Sequence, residues 1–202
     1  MNIPKETNMH RGKTRESILQ SAVELFAESG FSGVSMRDLA RACSITPAAL
    51  YHHFENKRSL YVESIKHAFS ERTGGLDEVL NRSADGEQSV RGIVGWFVEL
   101  IAGDVIFRRL LHRELLDGDD ERLRLITEQV LQAPFERITE SLSTYFPDVD
   151  AKFIGITAIS AVLGHFELAP IRSYFGVTEE GYSPKDIADR VSTLLLQGFH
   201  GV

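Results

Sequence analysis

Residues 34–60 read VSMRDLARACSITPAALYHHFENKRSL, and this stretch decides the fold. Ser35 is a hydroxyl N-cap with Asp38 three residues on, close to a capping box with Asp in place of the usual Glu or Gln. Leu39, Ala40 and Cys43 repeat at three- and four-residue spacing, which puts one apolar face on a short helix. Ser44-Ile45 is the break. Thr46 caps the next helix, Pro47 takes its first position, where a missing N–H does no harm, and Ala48, Ala49 and Leu50 continue it. Helices this short do not stand alone in water, so each must pack on something. A helix-turn-helix explains the shortness and the small residues at the start of the second helix, because Ala48 and Ala49 do not hold that helix out of a DNA groove.

The 202 residues allow a sizeable core in one large domain or two modest ones, and 43% hydrophobic with 25% charged residues is ordinary for a globular protein. The single cysteine, Cys43, excludes an intrachain disulfide framework; on an apolar helix face it reads as a small buried hydrophobe ahead of a redox sensor. No N-terminal segment has the apolar centre of a signal peptide, and no apolar run approaches about 18 residues. The expectation is a soluble cytoplasmic protein with no membrane contact. A net charge of −7 argues against nucleic acid until its distribution is considered. Residues 1–60 carry eight Lys and Arg against six Asp and Glu, so the acidity lies in the remainder. A locally basic head on an acidic body still admits phosphate, since charges beyond about a Debye length are screened.

Residues 1–10 lack periodicity and are expected to fray. From Lys13 to Ser29, Ile18, Ala22, Leu25 and Phe26 share one helical face, and Gly30 is a natural stop. A long helix starts near Asn56, turns Leu60, Tyr61, Ile65 and Phe69 inward, and either ends or kinks near Gly74-Gly75. Further helices are expected over Glu87–Ala102, Ile106–Leu116, Asp120–Tyr145 with a kink at Pro134, Asp150–Phe175 interrupted at Pro170, and Pro184–Phe199. Asp117-Gly118-Asp119, Phe146-Pro147-Asp148 and residues 176–183 separate them. No stretch alternates long enough to demand a strand. The fold class is all-α, with a helix-turn-helix DNA-binding domain over 1–60 and a helical regulatory and dimerisation domain over 61–202.

Residues 23–31 (VELFAESGF), 34–40 (VSMRDLA) and 46–54 (TPAALYHHF), followed by Asn56-Lys57 and Leu60, resemble the head of the TetR family of bacterial transcriptional regulators. The resemblance covers roughly residues 12–65, and the rest of the chain matches only in being helical. It implies a homodimer, a small-molecule pocket in each body, and release from DNA when the ligand binds. It also implies that the Tyr51 hydroxyl contacts phosphate and that His52 reaches phosphate or a base edge. The Thr46 hydroxyl is implied to touch the DNA backbone, and the last two helices to pair with their symmetry mates.

The residues support these roles in varying degree. Ser35 and Arg37 sit at a helix N-terminus that favours a phosphate, although plain capping accounts for Ser35 equally well. An alanine methyl at position 48 or 49 suits a thymine methyl, or merely helix propensity. Tyr51 and His52 face outward when Leu50 and Phe54, four apart, face the core; His53 is less decided. Lys57 lies in the first turn of the next helix, where the dipole disfavours a cation, and a phosphate partner is the expected compensation. The DNA-contact set is therefore Ser35, Arg37, Thr46, Ala48, Ala49, Tyr51, His52 and Lys57, with Arg37 and His52 the base-reading candidates and DNA shape supplying the rest.

In the body, Trp96, Phe97, Phe107, Phe135 and Phe166 offer aromatic lining for a pocket, and Arg108, His112, Glu114, His165 and Glu167 offer polar groups. Any one of these aromatics reads as core ahead of ligand wall. His112 with Glu114 and His165 with Glu167 invite a metal, but residues two apart on a helix diverge by about 200°, so neither pair chelates, and no metal or other cofactor is expected. No phosphate loop, nucleophile elbow or triad order is present, so no enzyme is expected. The homodimer face is placed on Ala158, Ala161, Val191, Leu194 and Leu195, with the alternative that these cover their own core. The leading function is a repressor leaving a palindromic operator when a small apolar or aromatic effector binds. A DNA-binding activator or architectural protein without a ligand, and a helical-bundle enzyme, are the alternatives.

Overall fold

In the computed structural model, residues 14–70, 74–117, 119–178 and 180–199 are described, and among them every regular element is helical. The head begins with α1 (Arg15–Ser29), capped by Thr14, which accepts from the Ser17 N–H. The expected start at Lys13 and the fraying of residues 1–10 lie outside the described residues, as do Gly118 of the first breaker and Glu179 of the third. Gly30 ends the helix with φ +70°, and its N–H donates to the Phe26 carbonyl at 2.8 Å. Such a φ costs glycine least. The next helices, α2 (Met36–Ala42) and α3 (Pro47–His53), are joined by a turn in which Ser44 takes φ +54°. The chain then enters α4 (Lys57–Ser70). Ile18, Ala22, Phe26, Leu39, Cys43, Leu50 and Leu60 are fully buried between these four helices, so the short helices are stabilised by one shared apolar core.

The body differs from expectation at its breaks. The helix from Lys57 is described to Ser70, and a helix, α5 (Gly74–Arg82), from Gly74; the end or kink expected near Gly74-Gly75 turns on residues 71–73, which lie outside the described residues. Then come α6 (Gly86–Gly103), α7 (Val105–Asp117) and α8 (Asp120–Ile126). A wide π-type turn over Thr127–Leu131 leads to α9 (Gln132–Tyr145). This turn, rather than a kink at Pro134 itself, absorbs the proline. An α-helical Pro134 would push its ring at the carbonyl of Val130 and offer it no N–H, and widening the preceding turn relieves both problems. After α10 (Ala151–Glu167), Pro170 interrupts the helix as expected, but by a different device: the chain bends by 72° into a tighter 3₁₀ stretch, Ala169–Phe175, with the proline in its first turn. The chain closes with α11 (Pro184–Phe199), which packs along α6. No single helix among the described residues is long and apolar enough to cross a membrane.

Candidate nucleic-acid interface and the joint behind it

The outward face of α3 is built by its cap. The Thr46 Oγ1 accepts from the Ala49 N–H at 3.1 Å, which fixes where the helix starts and so which side chains turn inward. Leu50 and Phe54 are buried, whereas Ala48, Ala49, Tyr51, His52 and His53 are exposed, Tyr51 to 52%. Tyr51 thus leaves its ring and hydroxyl open on the outward face of α3. At the start of α2, the capping box is complete. The Ser35 N–H and hydroxyl both donate to Asp38 Oδ2, at 3.1 and 2.5 Å, and the Asp38 N–H returns to Ser35 Oγ at 3.2 Å. These bonds hold the Asp38 pKa below its ordinary value, with Arg41 adding a smaller push in the same direction. Ser35 is thereby engaged as a cap, and Arg37 beside it is exposed.

Lys57 has a different occupation from the one expected. Its ammonium donates to the carbonyls of Phe31 and Val34, both at 2.9 Å, and stands 4.1 Å from the centre of the Phe31 ring. The cation at the start of α4 is compensated from within the protein, and it ties α4 to the loop before α2. Its half-buried position, and secondarily the nearby Arg122 guanidinium, lower its pKa. Any phosphate contact is left to its third N–H.

Behind the head lies a joint that sequence reasoning did not assemble. The Tyr61 hydroxyl on α4 donates to Glu114 Oε2 on α7 at 2.8 Å, and Arg122 Nε on α8 donates to Glu114 Oε1 at 3.0 Å. Glu114 and Arg122 are buried, with side chains 3% and 4% exposed, and a second carboxylate, Asp119, lies 3.3 Å from Arg122. The Arg122 guanidinium rests 4.2 Å from the Phe31 ring, so a body residue and Lys57 both hold the same head aromatic. Arg113 on α7 donates to the carbonyls of Ala27 and Glu28, where α1 ends, and Arg58 pairs with Glu121 at 2.5 Å. Glu114 also lines a cavity of about 70 Å³, together with Ile65 and Phe69 of α4, Phe107 and Leu110 of α7, and Leu131 of the π turn.

The pocket candidates therefore separate. Phe107 and Glu114 share this cavity, and the others do not line it. Arg108 lies 5.4 Å from the Phe166 ring and donates to the Ile101 carbonyl. His112 meets Glu167 at 3.1 Å across two helices. Phe135 fills the space left by Gly155, where a Cβ would stand 3.0 Å from its ring. Trp96 and Phe97 are 6.3 Å apart on α6, with Trp96 against Gly75. His165 faces Tyr182 at 6.1 Å; burial first, then Arg172 and Arg190, lower its pKa. Among the described residues, no three His, Cys, Asp or Glu side chains are grouped as a metal would need.

The dimer candidates separate too. Val191 and Leu195 are buried in the protomer's own core, which is a correction: α11 turns that stripe onto α6. Leu194 is 67% exposed, and Ala158 and Ala161 are half-buried. Near them Phe153, Ile156, Leu168 and Ile171 are also exposed.

A capped helix carrying small and polar residues on its free face, carried by a packed head and tied to a separate helical bundle, defines a helix-turn-helix DNA-binding regulator. Residues 18–63 match the model of the family described as bacterial regulatory proteins, tetR family. The biofilm operon icaADBC HTH-type negative transcriptional regulator IcaR of Staphylococcus epidermidis is 25% identical over 186 residues, spanning 90% of this chain and 96% of that regulator. The fold is that of the transcriptional regulator FadR from Bacillus subtilis in complex with stearoyl-CoA, with a TM-score of 0.77 at 17% identity over 92% of this chain and 99% of that one. It is likewise that of AibR in complex with isovaleryl coenzyme A and operator DNA, with a TM-score of 0.69 at 20% identity over 90% and 97%. The head over residues 18–63 is that of the TetR family, and the chain is a DNA-binding transcriptional regulator.

Proposed function

We propose that the chain is a cytoplasmic homodimeric repressor that leaves a palindromic operator when a small apolar or aromatic effector enters its body. It acts as a binding protein, not an enzyme. The observation that carries the reading is the free face of α3, where Ala48, Ala49, Tyr51 and His52 stand outward on a helix whose other side is buried. Tyr51, Thr46, Ser35 and the remaining Lys57 N–H contact phosphates, and Arg37 and His52 read bases. The division falls near residue 60, inside α4, which both parts share. The similarity to a negative regulator supports repression, and the neighbours holding acyl-CoA ligands and operator DNA support control by a ligand. Dimerisation uses Leu194, Ala158 and Ala161 with the exposed apolar residues around them.

Selection of duplexes from a random pool tests this directly. The recovered sites are palindromes whose halves repeat at about 10 bp or a multiple of it. Their affinity falls linearly with salt on a double-logarithmic plot, as counterions are released. Tyr51→Phe weakens all sequences alike, and His52→Ala relaxes the preference at particular positions. Affinity independent of salt, or equal for random and selected DNA, removes the reading. A ligand that releases the operator must be weakened by operator DNA by the same factor.

A further inference from the structure

The cavity beside the joint is lined by apolar side chains except for Thr127 and one charged group, the buried carboxylate of Glu114. Glu114 turns its oxygens to Tyr61 and Arg122, yet it also forms part of the cavity wall with Ile65, Phe69 and Phe107. A buried carboxylate must keep a cation or several donors beside it. Whatever enters the cavity meets this requirement first. An anion is repelled by it, and a neutral apolar molecule leaves the Glu114–Arg122 pair as it is. A cation can take Arg122's place with the charge balance kept. Arg122 has somewhere to go, because Asp119 already lies 3.3 Å from its guanidinium on the more open side. After such an exchange, both carboxylates and both cations remain paired.

We propose that this cavity is the effector site, and that it takes a short apolar amine whose ammonium displaces Arg122 from Glu114. This deepens the regulatory reading above and rests on it. The consequence for DNA follows from what Arg122 does at the joint. Its guanidinium lies on the ring of Phe31, and the Phe31 carbonyl is one of the two that hold Lys57. The other carbonyl belongs to Val34, the residue before the Ser35 cap of α2. Withdrawing Arg122 loosens the loop that fixes the helix-turn-helix against α4. Arg122 is thus a positioning residue for the head, and Glu114 is the ligand-reading residue.

Three probes of equal length test the proposal on the full-length protein: n-butylamine, n-butanol and butyrate, at one pH and one ionic strength. Calorimetry without DNA is expected to show butylamine binding at least about 10-fold more tightly than the alcohol, with butyrate not binding. Fluorescence anisotropy is expected to show saturating butylamine lowering operator affinity by about 10-fold, within the range usual for such coupling. In Glu114→Gln the amide still accepts from Tyr61 but carries no charge, and the preference for amine over alcohol is expected to vanish. If Glu114 were only structural, the substitution would weaken operator binding and leave that preference unmoved. Equal binding of the three probes, tighter binding of butyrate, or no binding of butylamine overturns the proposal. If selected operators bind and some other compound releases them, only the amine assignment falls; if no operator is found, the regulatory reading falls with it.

Discussion

Head and body are both helical, but they are held by contacts of different range. In the head, each helix is started by a residue three positions from its partner: Thr14 with Ser17, Ser35 with Asp38, Thr46 with Ala49. The core that these caps set up is aliphatic and aromatic, with Cys43 among the buried residues. At the joint and in the body, the decisive bonds span long stretches of chain. Tyr61 reaches Glu114 and Arg113 reaches Ala27, and a buried ion pair sits where the head keeps only apolar groups. Local caps set each helix of the head, and Lys57 ties them over a longer range. Long-range polar contacts define a joint whose geometry can change without unfolding either side, because polar partners exchange more readily than packed cores do.

The sharpest way to break that contrast is to remove the buried charge. Glu114→Ala takes one carboxylate from the buried Arg122, which keeps its pairing with Asp119, and about 3 kcal/mol of stability is expected to be lost. Urea unfolding measures it. A loss below about 1 kcal/mol would mean that the joint is no more demanding than a surface pair. Gly33→Ala comes next and strikes the head. A Cβ there would stand 2.3 Å from the carbonyl oxygen of Ser29, a backbone atom that cannot swing aside. The loop before α2 must shift, at about 2 kcal/mol. Operator affinity is expected to fall more than the stability loss alone explains, because the shift moves α2.

These two substitutions also mark what the sequence reveals. The head was legible nearly to the residue, since a hydroxyl three before an acceptor-poor N–H and a proline at the first position are local signals with one structural meaning. The free face of α3 followed from the four-residue spacing of Leu50 and Phe54. Lys57 was legible as a cation out of place, but its compensation was not, because the carbonyls of Phe31 and Val34 lie 26 and 23 residues earlier. In the body, helix spans were readable and their breaks less so: Pro134 marks a disturbance, but nothing in the sequence says that the widened turn precedes it at Thr127–Leu131. The stripe of Val191, Leu194 and Leu195 has the right period for a buried face, but period alone does not say whether α6 or a second chain covers it. Glu114 and Phe107 were among the pocket candidates, and only the packing of α4 against α7 separates them from Arg108, His112 and Phe135.

A pair of matched substitutions compares the two regions at equal local cost. Ser183 and Asp186 repeat in the body the box that Ser35 and Asp38 form in the head, with the same 3.1 and 3.2 Å bonds between backbone and side chain. Ser35→Ala and Ser183→Ala are each expected to lower stability by about 1 kcal/mol. Measured well below the unfolding transition, only Ser35→Ala is expected to weaken operator binding. Equal effects on DNA would show that the start of α11 is coupled to the head as tightly as α2 is, and the distinction between local and long-range control would fail.

The smallest expected effect concerns His165, in the last turn of α10. Its ring faces Tyr182, against which Arg172 and Arg190 also rest, at 4.6 and 5.6 Å. Three elements meet there, so the cluster belongs to the long-range kind of contact. Burial is the larger cause, and the two guanidiniums add to it, so the folded-state pKa lies below the ordinary 6.5. The unfolded chain then takes up a proton at a higher pH than the folded one. Between the two values the unfolded state binds more protons, so stability falls as pH is lowered from 6.5 toward the folded value and levels off beneath it. Thermal midpoints across that interval are expected to show this slope, and His165→Gln removes the contribution of this residue to it. Were the slope unchanged in the variant, the ring would be titrating alike in both states, and the two arginines would be exerting no field on it through the fold.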